Sequence, residues 1–268
     1  MSDRVPERLW KYRQWGEHAR SLIVHGEVYF AKRAELNDPL EFRWREKFPR
    51  KPSEIDEYAR GLCQLHYPND TIVERRVHYS DLKAELIRLS AEQRNGSRLS
   101  ETVFNLGVFS VSELPDDLLM WSHHAANHSG VCLGIRTDAM KAKLFLPVNY
   151  TEQLPVIDIR EYIQRIRGLF VRLSLTKSAH WSYEKEWRTI YLPGPRRFAG
   201  CVDTVVVGLR ATEKTRSEVR AAIAEAAHHI ETLDARLSQT HYALDLARPT
   251  RANHGDRDSG VRANRSPG

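Results

Sequence analysis

The segment SLTKSAHWSYEKEWRTIYL, residues 174–192, brings two carboxylates, Glu184 and Glu186, next to a guanidinium, Arg188. Extended from Trp181, it carries Ser182, Glu184, Glu186 and Arg188 on one face and Trp181, Tyr183, Lys185 and Trp187 on the other. Same-face neighbours then stand about 7 Å apart. Two carboxylates that close repel, and one takes a raised pKa unless Arg188 or a ligand cation offsets the charge. A helix would turn the two glutamates about 200° apart and end any shared role, so the chemistry requires a strand. A surface Glu–Arg pair is the plain alternative, but charges backed by aromatics are costly unless paired or used.

A second cluster, WSHHAANHSG, sets His124 and His128 four residues apart, a spacing that suits zinc on a helix. No glutamate or third ligand accompanies them, so a helix end with histidines at its C-terminal dipole is the simpler reading, and no metal is expected. His128 lies just before Ser129-Gly130, where its ring can fix the next strand. The chain has no G-x-x-x-x-G-K-[ST], no G-x-G-x-x-G after a strand, no G-x-S-x-G and no H-E-x-x-H. Phosphoryl transfer from ATP, Rossmann redox chemistry and serine-hydrolase chemistry therefore lose their sequence support.

The elements around these residues alternate strands and helices. RLWKYRQW at 8–15 suits a strand, and Gly26 turns into another at 28–31. Asn37-Asp38-Pro39 is a turn signal. Residues 53–66, capped by Ser53, and 80–93, capped by Ser80, have helical stripes and form a helical insertion spanning about 50–98. TVFNLGVFSVSEL predicts a strand, DDLLMWSHHAANHSG a helix ending at Gly130, and VCLGIRTD a strand. YTEQLPVIDI predicts a strand and 159–172 a helix. WRTIYL and DTVVVGL are the clearest late strands. Thr212 caps a helix striped by Val219, Ile223, Ala226 and Ile230, and THYALDL closes as an extended piece. The pattern implies one α+β domain over 1–247, with mixed or antiparallel sheets and a helical insertion.

Composition sets limits. The chain has 268 residues, 41% hydrophobic and 28% charged, ordinary for a soluble globular protein. No apolar run reaches the roughly 18–20 residues that span a membrane, and the first residues lack a secretory segment. Cys63, Cys132 and Cys201 are scattered without C-x-x-C spacing and read as reduced thiols of a cytoplasmic protein. Of the net charge of +6, +3 lies in 248–268, which holds five Arg and two Asp and reads as a disordered basic tail.

LWKYRQW, VYFAKRAELNDPLEF, GVFSVSELPDDLLMWSHHAANHSGVCLGI, KSAHWSYEKEWRTIY and VDTVVVGLR occur in an order that resembles the bacterial domain-of-unknown-function family 2971. The resemblance runs from Leu9 to about Leu246. Ala31 stands where that family usually has Ser, and His124 where it usually has Tyr. More distantly the chain is similar to the ADP-ribosyltransferase superfamily, in the order of a Tyr/Arg strand, a Tyr-Phe strand with a turn, a helical insertion and a late Glu-x-Glu strand. That similarity implies an ADP-ribosyltransferase-like fold and a bacterial toxin or phage-defence effector that takes NAD as substrate and passes ADP-ribose to a protein or nucleic-acid acceptor, or to water. It assigns Glu186 to the ribose and Glu184 to the acceptor. Arg13, in preference to Tyr12 on the opposite strand face, goes to phosphate, and Tyr29 or Phe30 stacks on nicotinamide. Asn37, Asp38, Trp121, His128 and Arg188 complete the expected site, although each also suits turn-building, packing or charge balance. A non-catalytic nucleotide- or nucleic-acid-binding module is the alternative.

Overall fold

A computed structural model describes residues 4–47, 49, 51–92, 106–140, 145–158 and 168–249. Its strands are β1 (Arg8–Arg13), β2 (Glu27–Lys32), β3 (Arg45–Lys47), β4 (Gly107–Ser112), β5 (Val131–Arg136), β6 (Leu146–Pro147) and β7 (Asn149–Thr151). They continue with β8 (Val156–Asp158), β9 (Thr176–Ser178), β10 (Glu186–Tyr191), β11 (Gly194–Arg197), β12 (Val202–Val207), β13 (Glu231–Leu237) and β14 (Leu244–Ala247). The principal sheet runs β11-β2-β4-β1-β5-β12-β13-β14, with β10 and β6 beside β4. All its pairings are antiparallel except β12 with β13. The fold is a mixed α+β domain with a mostly antiparallel open sheet.

Period-two alternation builds both sides of that sheet. Leu9, Val28, Phe30, Phe109, Leu133 and Val205 face one core, closed by α1 (Glu17–His25) and the helix Glu213–Glu225. Trp10, Tyr12, Cys132 and Val206 face the other, over Met120 and Trp121. Gly26 ends α1 at φ 64°, and a Cβ there would meet the Phe198 carbonyl oxygen at 2.2 Å, so only glycine serves. A third core joins α2 (Pro52–His66) and α3 (Ile72–Glu92) to Ile157, Leu169 and Leu173.

One irregularity opens the sheet between β1 and β2. β10 pairs with β4 along its whole length, from Glu186↔Ser112 to Tyr191↔Gly107. The opposite edge of β4 is shared: β2 takes Gly107 and Val108, while β1 takes only Ser112. Between them the strands part, and Phe109–Val111 have no strand partner on that edge. The Lys11 ammonium donates to the Ser110 carbonyl at 2.7 Å and satisfies an acceptor the split exposes.

Several expectations need correction. Helix α3 begins eight residues before Ser80, which lies in its interior. Its start is a capping box: Thr71 Oγ1 accepts from the Glu74 amide and Glu74 accepts from the Thr71 amide. Likewise α2 begins at Pro52, with Lys51 rather than Ser53 at the cap. The helix α4 (Leu118–His124), capped by Asp117, stops well short of Gly130, because Ala126, Asn127 and His128 take positive φ. Residues 179–184 form a 3-10 turn instead of a strand. The last long helix stops at Glu225, and the following ETLDARL forms β13. Residues 159–167 and 250–268, hence most of one expected helix and of the basic tail, lie outside the described residues. Cys63, Cys132 and Cys201 are free and buried. Among the described residues no helix is long and apolar enough to cross a membrane.

Candidate functional site

Strand alternation in β10 puts Glu186 and Arg188 on one side and Trp187 on the other. Glu184 joins them by a different device. It ends the 3-10 turn, its carbonyl accepts from Ser112 Oγ at 2.7 Å, and Lys185 then reverses the chain at φ 42°. That single left-handed residue lets two glutamates from unlike backbone meet over one side chain, Lys177 of β9.

A third carboxylate comes from the Asn-Asp-Pro turn. Asp38 Oδ1 accepts from the Leu40 amide at 2.8 Å and its carbonyl accepts from the Glu41 amide, which carries Glu41 inward. Arg188 binds this carboxylate in a fork, with Nη1 at 2.9 Å and Nη2 at 2.7 Å. It also donates to Glu186 from Nε and Nη2, at 2.7 and 2.9 Å, and to the Ser174 carbonyl at 2.7 Å. Lys177 Nζ lies 2.5 Å from Glu184, 3.1 Å from Glu186 and 3.3 Å from Glu41. It also stands over the Trp181 ring at 5.1 Å. These five side chains are 1–5% exposed. A network this dry holds only because the partners satisfy one another.

The charges tune each other. Burial alone would raise the Glu186 pKa, but the Arg188 guanidinium and the Lys177 ammonium hold it well below the ordinary range. Burial opposes charge on Lys177 and Arg188 too, and the carboxylates overcome it, leading with Glu186, so both cations are held above their usual values. For Lys11 the balance falls the other way: burial, then the Arg13 charge, outweighs the pull of Glu186 and Glu184 and lowers it to about 7. Burial also lowers Arg13, whose Nε is buried with no hydrogen-bond partner among the described residues.

A pocket of about 110 Å³ is lined by Lys11, Glu41, Ser110, Lys177, Glu184 and Glu186, among others, at the split between β1 and β2. It adjoins an open groove of about 590 Å³ with Lys11, Tyr12, Asn37 and His124 as shared walls, and Arg13, His18 and Tyr29 further out. His124 Nε2 is 3.1 Å from Glu184 Oε1 and connects pocket to groove.

Of the residues expected from the sequence, Glu184, Glu186, Tyr12, Arg13, Tyr29 and Asn37 thus converge on one cleft. Tyr12 and Arg13 both line it, although Tyr12 also packs edge-on to Trp121 and donates to the Leu114 carbonyl. Arg188 and Asp38 stand behind it, as holders of carboxylate and turn. Phe30 does not reach it: fully buried, it packs against Phe109, Tyr191 and Phe198. Trp121 is also sealed, donating to the Pro115 carbonyl, with His128 stacked beside it. His128 takes φ 70° and does not share a helix face with His124. No three His, Cys, Asp or Glu among the described residues are grouped to hold a metal.

Sequence reasoning missed Glu41, Lys177 and Lys11. Lys11 was findable, because it lies two residues before Arg13 on one strand face. Glu41 and Lys177 come from a turn and a three-residue strand, where no periodicity marks direction.

A family model described as Protein of unknown function (DUF2971) matches residues 120–189. That stretch carries His124, Lys177, Glu184, Glu186 and Arg188. No curated protein and no solved structure matches the chain.

Proposed function

We propose that this chain is an NAD-consuming enzyme of ADP-ribosyltransferase type, which hydrolyses NAD or passes its ADP-ribose to a protein or nucleic-acid acceptor. The observation that carries the reading is the charge balance of the cleft. Three buried carboxylates are offset by Lys177 in the inner pocket and Arg188 behind it; Lys11, its charge weakened by burial, lines both pocket and groove, and Arg13 lies further out along the groove. An excess of negative charge at the bottom suits a centre that becomes positive, and cations at the mouth suit a pyrophosphate.

Breaking the bond between ribose C1′ and the nicotinamide nitrogen sends the bonding electrons to that nitrogen, giving neutral nicotinamide and an oxocarbenium-like ribose. Glu186, with both oxygens engaged by Arg188 and Lys177, contributes field and position. Glu184 is the freer carboxylate, since Oε1 meets only His124 at the groove wall. It takes the proton of the attacking water or acceptor as the new bond to C1′ forms. Tyr29, on the groove wall with its hydroxyl donating to Glu35, offers a ring to stack on, and Phe30 takes no part.

The test is to incubate the pure protein with NAD, with and without added acceptor, and follow nicotinamide release. Release that collapses in Glu184→Gln, with an unchanged unfolding midpoint, is the expected result. Absence of release sinks the enzymatic reading, as does a Glu184→Gln variant that turns over like the wild type. Saturable NAD binding without turnover would make the cleft a nucleotide-binding module.

A further inference from the structure

The helical insertion carries a second feature that the cleft chemistry does not use. On α3, Ile72, Arg75, Arg76 and Tyr79 recur at three and four residues and share a face; on α2, Arg60 and Cys63 do the same. The two faces border a groove of about 590 Å³ near the connection between the helices. Its floor is apolar and its charged walls are all basic.

General basicity does not explain this. Residues 51–92 contain six Lys or Arg and eight Asp or Glu, so the insertion as a whole is acidic. The neighbouring carboxylates are engaged elsewhere. Asp56 is held by Lys83 and by the Tyr79 hydroxyl, Asp70 by His78 at 2.6 Å, and Glu74 by Thr71. Arg60 and Arg75 donate to backbone carbonyls, of Asp56 and Asp70, and neither forms an ion pair with a carboxylate among the described residues. Three guanidinium groups therefore border one concavity with no carboxylate among its walls.

Beside them the surface is unusually apolar for a solvated helix. Ile72 is 77% exposed and Val73 72%. Guanidinium forks match phosphate oxygens in pairs, and an aliphatic and tyrosine floor matches a flat apolar body. A groove of this volume suits a small molecule. We propose that the groove between α2 and α3 binds a nucleoside-phosphate ligand, with phosphate on Arg60, Arg75 and Arg76 and the base over Ile72 and Tyr79. This site is separate from the cleft at β1 and β2 and stands whether or not that cleft consumes NAD.

Calorimetric titration of the full chain with ADP, adenosine and inorganic pyrophosphate tests it. ADP saturates one site about tenfold more tightly than either half, because both parts of the groove are filled. Replacing both Arg75 and Arg76 by Ala weakens ADP about tenfold or more. Ile72→Glu does the same by setting a carboxylate among the guanidinia, at an exposed position where the change leaves the fold intact. Both variants keep whatever nicotinamide release the wild type shows, which separates this site from the cleft. The same titrations in Lys11→Met identify ADP entering the cleft instead: binding that falls there and ignores the hairpin variants overturns the proposal. No saturable ADP binding also overturns it. Binding of single-stranded RNA in place of ADP, falling steeply with salt, overturns it in favour of a nucleic-acid surface.

Discussion

Two groups of arginines lie in this molecule under opposite rules. Arg188 has every donor direction taken by Glu41, Glu186 or Ser174, and it is sealed from water. Arg60, Arg75 and Arg76 stand on the surface of the α2–α3 hairpin with no carboxylate lining their groove. The first arrangement consumes its charge internally and so acts as framework; the second leaves charge over for a visitor. Burial and charge therefore separate roles that residue type alone cannot.

The comparison breaks most visibly at Arg188. Arg188→Met leaves Glu41 and Glu186 buried without their principal partner and costs roughly 3–5 kcal/mol, read as a fall in the urea midpoint. Glu184→Gln touches the same network at the end that meets His124 and the groove. It lowers nicotinamide release about 10²–10⁴-fold, a kcat effect measured at saturating NAD. Acid gives a third probe. Because the folded pKa of Glu186 is depressed, its stabilisation is full above the ordinary carboxylate value of 4.5 and drains away as pH falls towards the folded value. Denaturation midpoints followed downward in pH should drop below that point, and the drop should be smaller in Glu186→Gln.

Lys11 sits between the two regimes. Its folded pKa near 7 lies below the ordinary 10.5, so the unfolded chain holds the proton over that interval and stability from this group rises with pH across it. Its grip on an anion changes the other way, and NAD affinity should weaken by about tenfold as pH climbs through 7. Lys11→Met should flatten that profile. The smallest effect belongs to the hairpin: Arg76→Ala should shift the unfolding midpoint by less than about 0.5 kcal/mol, since an exposed helical arginine has little to lose. A large loss there would erase the distinction between the groups.

Much of the sheet was legible because its strands alternate cleanly: β1, β4, β5, β10 and β12 fall where the pattern puts them. Thr212 as a cap was legible for the same local reason, its Oγ1 accepting from the Thr215 amide at 3.1 Å. Ser80 is a good cap type that sits mid-helix, whereas the true start is the Thr71–Glu74 box upstream. β13 escaped notice because ETLDARL alternates weakly and its exposure is intermediate along most of its length. In the site, Glu186 with Arg188 was readable from period two. Glu184 was placed on the right side for the wrong reason, since a turn and one left-handed residue bring it there. Glu41 was invisible because its address depends on a long-range pairing with Arg188, 147 positions away.

Lys185 has a consequence for recognising the site in other chains. At φ 42° its backbone tolerates glycine best, then asparagine or aspartate, and long unbranched residues at some cost. Valine, isoleucine and threonine are strained in that torsion, and proline, fixed at a φ of about −65°, is excluded from it. A Glu-x-Glu with proline at its centre cannot fold as this one does, and one with a β-branched residue there does so only under strain. The middle letter of the motif is thus a sieve between chains that carry the carboxylate pair and chains that merely spell it.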